Sequence, residues 1–128
     1  MYSGKNLYSK EHEWLSVDGD TALIGITHHA QDQLGDIVYV DLPDVDSEFE
    51  IGEEFGSVES VKAVAEVFMP IGGTIVEVNE DLEDSPEAVN KDPHGKGWLI
   101  KIKIADQSEL EKLLSAEAYE AFVKEESK

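Results

Sequence analysis

The sequence predicts a mainly β fold of the α+β class, dominated by antiparallel strands, with short helices at its C-terminal end. Two observations support this prediction. Short apolar and β-branched runs, separated by Gly, Pro and acidic turns, fill the chain from about residue 8 to about residue 104. Beyond them, apolar residues recur every three or four positions, as on one face of a helix. We therefore expect one domain over residues 1–128, with a β core at about 8–104 and helices at about 106–125.

The composition excludes several classes of function. The chain has 128 residues, of which 29 are acidic and 10 basic, and its formal net charge is −19. Every basic residue is a lysine, so the arginine forks that grip phosphates are missing, and we expect no binding of nucleic acid. The absence of Cys excludes disulfides, thiolate nucleophiles and Cys-ligated zinc.

Targeting and membrane segments are also missing from the sequence. No apolar run approaches the roughly 20 residues of a membrane span, and neither a signal segment nor an Arg-rich presequence follows Met1. We expect no membrane association and a place in the bacterial or archaeal cytoplasm, with a mature mitochondrial form as the less favoured alternative.

The first elements are a hairpin and a short helix. Two strand-like runs within residues 12–26 flank Asp18-Gly19, a pair that favours the positive φ of a tight turn. Thr27 is a suitable N-cap for the helix that follows, and Gly35 is placed to end it in the left-handed conformation.

Further strands follow along the chain. They alternate apolar with small or polar residues, or are rich in β-branched residues, and they are predicted at 36–42, 55–59, 63–68, 74–78 and 98–104. The second and third of these form the two arms of a hairpin whose tip is Ser60-Val61-Lys62.

Loops and helices complete the prediction. An acidic loop spans residues 44–54 with Phe49 and Ile51 as apolar anchors, and a long loop with two prolines spans 79–97. Two amphipathic helices then dock on the sheet through apolar residues at helical spacing, with Asp106 or Ser108 and then Ser115 as caps; the apolar residues are Leu110, Leu113, Leu114, Tyr119, Phe122 and Val123.

One internal repeat indicates a β structure built from two similar parts. The segment 35–41 and the segment 73–79 share a pattern of a Gly, a short strand and an acidic or amide turn residue, 38 residues apart. Such a repeat favours two similar β units stacked face to face, as in a pseudo-symmetric sandwich.

Lys62 is the most informative residue because it is isolated from other cations. Between Lys10 and Lys91 it is the one basic residue, against 21 Asp and Glu. An exposed lysine at a loop tip is ordinarily only solvated. Its neighbours Val61 and Ala63, however, are apolar or small, and a stiff hairpin holds its amine away from the body of the protein. This placement suits recognition by a modifying enzyme.

Two chemical roles are open to such a lysine. A Schiff-base nucleophile must be neutral, which requires burial or a neighbouring cation. The surroundings of Lys62 are acidic and exposed instead, and they favour the ammonium. Covalent attachment of a cofactor through an amide bond is therefore the better use of this residue.

The segment Glu59-Ser60-Val61-Lys62-Ala63 resembles the lipoyl-attachment motif of the H proteins of the glycine cleavage system. The resemblance continues in order and with matching spacing over about residues 8 to 104. The further matching blocks are Tyr8 to Trp14, Gly25-Ile26-Thr27, Ala30 to Pro43, Pro70-Ile71, Val89-Asn90, Asp92-Pro93 and Gly97-Trp98-Leu99. Any one block would be weak, but the ordered set is specific.

This resemblance implies a carrier with no catalytic residue of its own. It implies a barrel-sandwich hybrid of two antiparallel sheets, a single lipoyl-carrier domain, and lipoate joined by an amide to Lys62. The expected partners are a lipoate-attaching enzyme, the glycine decarboxylase (P protein), the aminomethyltransferase (T protein) and dihydrolipoamide dehydrogenase (L protein). In this scheme the lipoyl group receives the aminomethyl group of glycine from the P protein, passes it to the T protein and is reoxidised by the L protein. We expect the carrier to be a monomer.

The resemblance also implies a surface cleft that shelters the loaded arm, because a free aminomethyl adduct would lose its amine to water. By position, Glu11, Glu13 and Glu66 fall near that cleft, and their carboxylates would pair with a charged amine. Acidic residues are so common in this chain that plain solvated surface is the competing interpretation.

Other functions remain open from the sequence. The chain could act mainly as a lipoyl donor to other complexes, or be the lipoyl domain of another multienzyme complex. An acid-rich hydrolase or metal enzyme would use His12, Glu13 or the pair His28-His29.

Metal binding is the last possibility that the sequence raises. Residues four apart on a helix share a face, which brings together His28 and Asp32 beside His29, but surface histidines at a helix start are usually solvated. The acidic run 41–50 lacks the central glycine and terminal glutamate of an EF-hand loop. We therefore expect no metal site.

Overall fold

Within residues 3–126, which the computed structural model describes, nine strands form two antiparallel sheets. The strands are β1 (Leu7–Tyr8), β2 (Glu13–Asp18), β3 (Thr21–Ile26), β4 (Ile37–Asp41), β5 (Glu48–Phe49), β6 (Glu54–Ser60), β7 (Val64–Phe68), β8 (Gly73–Val78) and β9 (Ile100–Ile104). The helices are α1 (His28–Leu34), α2 (Asp81–Asp84), α3 (Ala88–Lys91) and α4 (Ala116–Glu126), and Gln107–Lys112 form a 3₁₀ helix. The larger sheet has the order β1-β2-β3-β9-β8-β5 and the smaller sheet the order β4-β6-β7.

The two sheets enclose one apolar core. Its buried side chains come from both sheets, as the alternation of strand residues requires, and they include Leu15, Ile24, Val58, Val67, Ile75 and Ile102. Burying each side chain of this size contributes about 1.5–3 kcal/mol before the entropy cost of ordering it. The mainly β, α+β prediction is therefore confirmed.

The first hairpin and helix form as predicted. Strands β2 and β3 pair from Glu13↔Ile26 to Asp18↔Thr21, and the positive φ of the turn falls on Gly19, at 64°. The Thr27 side chain accepts a hydrogen bond from the Ala30 backbone N–H, and helix α1 ends at Gly35, where φ is 83°. Side-chain capping thus sets the start of α1, and its end is set by a glycine with positive φ, although the ψ of −156° differs from the predicted left-handed helical conformation.

A second, smaller apolar cluster attaches helix α4 to the outside of the larger sheet. It consists of Tyr8, Trp14, Ala116 and Tyr119, and the rings of Tyr8 and Tyr119 stack at 5.0 Å. Ser115 caps this helix by accepting a hydrogen bond from Ala118, as predicted. Packing in this cluster places helix α4 next to the turn between β1 and β2, where Tyr119 is hydrogen-bonded to His12.

Four local predictions are corrected by the structure. The long loop at 79–97 contains α2 and α3, whose Leu82 and Val89 are buried; helices of four residues are too short to show a helical period. The acidic loop at 44–54 contains β5, and Ile51 is exposed, whereas Phe49 packs against the core as predicted. The last strand begins at Ile100 rather than at residue 98.

The fourth correction concerns the first C-terminal helix. It is a 3₁₀ helix capped by Asp106, and it ends before Leu114, which forms a β-bridge with Tyr8.

The two segments of the internal repeat, 35–41 and 73–79, contribute strands to different sheets. Strand β4 is an edge strand of the smaller sheet, and β8 is an inner strand of the larger one.

No helix of the described residues is both long enough and apolar enough to cross a membrane.

Candidate functional site

Lys62 lies at the tip of the hairpin formed by β6 and β7, as predicted. The backbone N–H of Ser60 donates to the carbonyl of Ala63 at 2.7 Å, which leaves Val61 and Lys62 as the two residues of the loop. The Oγ of Ser60 accepts hydrogen bonds from the backbone N–H groups of Ala63 at 3.1 Å and Lys62 at 3.3 Å. A buried hydroxyl therefore stiffens this tip from inside, which fixes the base of the lysine side chain.

Neighbouring elements hold the tip from the other side. The backbone N–H of Val61 donates to the carbonyl of Asp36 at 3.1 Å. Gly35 lies beneath the lysine, because a Cβ at that position would lie 3.7 Å from Lys62 Cε. The Asn90 side chain fixes this segment in turn, since it accepts from the Ile37 N–H and donates to the Gly35 carbonyl, both at 2.8 Å.

The Lys62 side chain itself is exposed. Among residues 3–126, its ammonium makes no ion pair and no hydrogen bond within the usual distance limits. Val61 and Val64 beside it are 72% and 60% exposed, and Glu59 and Ala63 are exposed as well. The amine is thus sterically open to an enzyme that acylates it.

The structure brings the three predicted acids into one cleft. Glu11, Glu13 and Glu66 all line a cavity of about 670 Å³. Apolar side chains provide much of the remaining wall, and they include Ile26, Leu34, Val58, Ala65 and Val67. Val58 and Ala65 are paired across β6 and β7, so the cleft begins on the same ribbon that carries Lys62.

Glu13 is the buried acid of the cleft, with 2% of its surface exposed. The Ser9 hydroxyl donates to its Oε1 at 2.6 Å, and the Phe68 backbone N–H donates to its Oε2 at 3.4 Å. Burial withdraws the water that would stabilise a carboxylate, and this raises the pKa of Glu13 to about 7 in spite of the two hydrogen bonds. Glu13 therefore exchanges a proton near neutral pH, and a cation beside it would favour the carboxylate.

Glu11 and Glu66 differ from Glu13 in burial. Both are exposed, and Glu66 lies on β7 opposite Ser57. Of the three predicted acids, one is therefore buried in the cleft and two lie at its surface.

Known proteins are similar to this chain in sequence and in fold. The family model described as glycine cleavage H-protein matches residues 6–126. Relatives named glycine cleavage system H protein include one from Staphylococcus carnosus, 55% identical over 118 residues that cover 92% of this chain and 94% of the relative. Another, from Halothermothrix orenii, is 54% identical over 119 residues, which cover 93% of each chain. The chain belongs to the glycine cleavage H-protein family.

A solved structure agrees with this assignment. The crystal structure of a glycine cleavage system H protein from Mycobacterium marinum aligns with a TM-score of 0.84 and 33% identity, covering 99% of this chain and 100% of that one. The resemblance seen in the sequence and the predicted fold, two antiparallel sheets in a barrel-sandwich hybrid with short helices, are therefore confirmed.

Sequence reasoning missed the C-terminal contribution to the site of this chain. Glu126, in the last turn of α4, lines the cleft together with His12 and His29. Neither the spacing nor the local pattern of these residues indicates that they meet, because 97 residues separate His29 from Glu126. The docking of α4 through Tyr119 brings them together.

The two metal-binding sets considered from the sequence, the α1 set of His28, His29 and Asp32 and the acidic run 41–50, do not assemble. His28 turns to Gln31 and its backbone N–H donates to His94, whereas His29 faces His12. Of the described residues, neither the helix set with Asp32 nor the acidic run 41–50 forms a cluster that could hold an ion.

Proposed function

We propose that Lys62 is the residue through which this lipoyl carrier of the glycine cleavage system holds its lipoyl group, as an amide. The observation that supports the proposal is an exposed ammonium without an ion pair in the described chain, on a stiff tip beside a cleft. When bound, the lipoyl group supplies the disulfide and thiol chemistry, and the protein supplies its position. The chain is then a single, non-catalytic, monomeric carrier domain.

The cleft fits a tethered group of this kind. Its volume of about 670 Å³ is typical of ligand sites. Ala65, on its wall, follows Lys62 by three residues, so the cleft begins about 10 Å along the ribbon from the attachment point. Its apolar wall would contact the hydrocarbon arm, and its acids would meet the arm's polar end.

The acids of the cleft are proposed to hold a charged amine. A protonated amine brought beside Glu13 would stabilise its carboxylate and gain a charge-assisted hydrogen bond in a partly dry site. Glu11 and Glu66 would add negative potential at the surface. Such pairing would keep the amine attached to the lipoyl arm while the carrier moves from one partner enzyme to the next.

The charge of the carrier supports recognition by several enzymes. Acylation of Lys62 would remove the one cation between Lys10 and Lys91 and leave an acidic surface. Such a surface steers encounters with basic docking sites, which we propose on the P, T and L proteins. The segment Glu59 to Ala63 is the proposed recognition element of the lipoate-attaching enzyme. We place the carrier in the bacterial or archaeal cytoplasm.

Mass spectrometry tests the attachment site. Chain produced with a lipoate-attaching enzyme is expected to gain the mass of one lipoyl group, and peptide mapping should place it on Lys62. The Lys62→Arg variant keeps the positive charge but cannot form the amide under the same conditions, so it should gain none. Lys91→Arg, at another exposed lysine, is the matched control and should be modified normally.

Two results would overturn this assignment. One is an adduct mapped to any other lysine, and the other is undiminished modification of Lys62→Arg. The same samples test the carrier role, because exchange of carbon dioxide with glycine by the P protein should require the lipoylated chain and be absent with Lys62→Arg.

A further inference from the structure

Three potential ligands from distant parts of the chain meet in the wall of the cleft. His12 comes from the turn between β1 and β2, His29 from α1, and Glu126 from the end of α4. His12 Nε2 lies 2.9 Å from Glu126 Oε2, and His29 Nε2 lies 4.0 Å from the same oxygen. We propose that these three side chains bind one divalent transition-metal cation of the zinc type.

The spacing of the ligand atoms suits such an ion. With zinc–nitrogen bonds of about 2.0–2.1 Å, neighbouring ligands of a tetrahedral site lie roughly 3.3 Å apart. The ligand atoms of His12, His29 and Glu126 all lie within 4.8 Å of one another, so small rotations of these side chains complete the geometry. All three line the cleft, which leaves the fourth position open toward it, as in zinc sites with three protein ligands.

His12 is held in the orientation that a ligand needs. Its Nδ1 is hydrogen-bonded to the hydroxyl of Tyr119 at 2.7 Å, and that hydroxyl is bonded to Thr27 Oγ1, also at 2.7 Å. Tyr119 and Thr27 are fully buried. Metal-binding histidines commonly bond their second nitrogen in this way, which fixes the ring and directs the other nitrogen at the ion.

The ligand set also defines the chemical class of the cation. Two imidazoles and one carboxylate suit Zn²⁺ and its transition-metal neighbours, whereas Ca²⁺ and Mg²⁺ prefer oxygen ligands alone. The many exposed acids of this chain will attract any divalent cation weakly. Selectivity for zinc in the presence of excess Mg²⁺ therefore distinguishes a built site from general charge attraction.

Calorimetric titration with zinc chloride tests the site. The full-length chain carries Lys62→Gln, so that no lipoyl sulfur can bind the metal, and it carries no histidine tag. With Mg²⁺ in excess, we expect one Zn²⁺ per chain. The variants His12→Asn, His29→Gln and Glu126→Gln should each weaken binding at least about tenfold. Asparagine is chosen because His12 has a φ of 69°, a conformation that asparagine tolerates.

Matched controls come from the adjacent residues. His28→Gln removes a neighbouring imidazole of α1, and Glu125→Gln removes a neighbouring carboxylate of α4; each should change zinc affinity less than about twofold. Thermal unfolding without zinc checks that every variant folds. Added zinc should raise the unfolding midpoint of the parent chain, but raise those of the three ligand variants much less.

The proposal fails if no stoichiometric zinc binding is seen above Mg²⁺, or if the controls lose as much affinity as the ligand variants. Because the test uses chain that cannot be lipoylated, its outcome is independent of the attachment assigned to Lys62.

Discussion

The hairpin tip, which carries Lys62, and the floor of the cleft, meaning the part formed by the buried Glu13, use ionisable side chains in opposite ways. Lys62 at the tip is exposed, and its proposed role depends on an ammonium that has no competing partner within residues 3–126. Glu13 on the cleft floor is 2% exposed, and burial raises its pKa to about 7. The comparison teaches that changes at the tip should affect modification with little effect on stability, whereas changes on the floor should affect stability and its dependence on pH.

The largest expected effect in this comparison is on stability as a function of pH. Because burial raises the pKa of Glu13 to about 7, the folded chain holds this proton up to about pH 7, whereas an unfolded glutamate releases it near its ordinary pKa of 4.5. The stabilisation that this proton provides is complete below pH 4.5 and is lost as the pH rises through 7. The shift corresponds to about 3 kcal/mol.

The Glu13→Gln variant isolates this contribution, because glutamine mimics the protonated acid and does not titrate. Relative to the variant, the wild-type chain should lose about 3 kcal/mol of unfolding free energy between a pH near 4.5 and a pH above 7. Urea unfolding at both pH values measures the difference. Glu66→Gln, at an exposed acid of the same cleft, is the control and should show no comparable change. Parallel pH curves for wild type and Glu13→Gln would contradict the prediction.

The next effect concerns the amine that the cleft is proposed to hold. Hydrogen bonds to charged groups contribute about 1.5–3 kcal/mol, so Glu13→Gln should release ammonia from the loaded carrier at least about tenfold faster. The carrier is loaded with glycine and P protein, separated, and assayed for ammonia over time. Glu66→Gln, whose carboxylate is exposed, should accelerate release much less. Equal release from wild type and both variants would show that the cleft does not protect the adduct.

The smallest effect is expected at the tip. Ser60→Ala removes the hydroxyl that accepts hydrogen bonds from the backbone N–H groups of Lys62 and Ala63, and both of these bonds are only partly buried. We expect a loss of about 1 kcal/mol in unfolding free energy and a few-fold slower lipoylation. Initial rates with a lipoate-attaching enzyme, and urea unfolding, measure the two. Ser57→Ala, on the same strand, is the control for the rate. A wild-type lipoylation rate in Ser60→Ala would mean that the stiffness of the tip is not required.

Local chemistry explains why much of the fold was predictable. The turn at Gly19, the cap at Thr27 and the helix end at Gly35 each depend on a residue's own backbone preference or on a partner three residues away. The tip of β6 and β7 was predictable for the same reason. Helices α2 and α3 were not, because a single turn leaves no periodic pattern and is held by the burial of Leu82 and Val89.

The same division applies to the site. The position of Lys62 on an exposed tip follows from alternating strands and the scarcity of other cations, both of which are local properties of the chain. The burial of Glu13 and the meeting of His12, His29 and Glu126 are not local. The burial of Glu13 depends on contact with Phe68, which is 55 residues away from it. The position of His12 depends on Tyr119, which is 107 residues away from it. Desolvation is produced by packed neighbours from every direction, so only the assembled fold determines the pKa of Glu13 and the ligand set at the cleft.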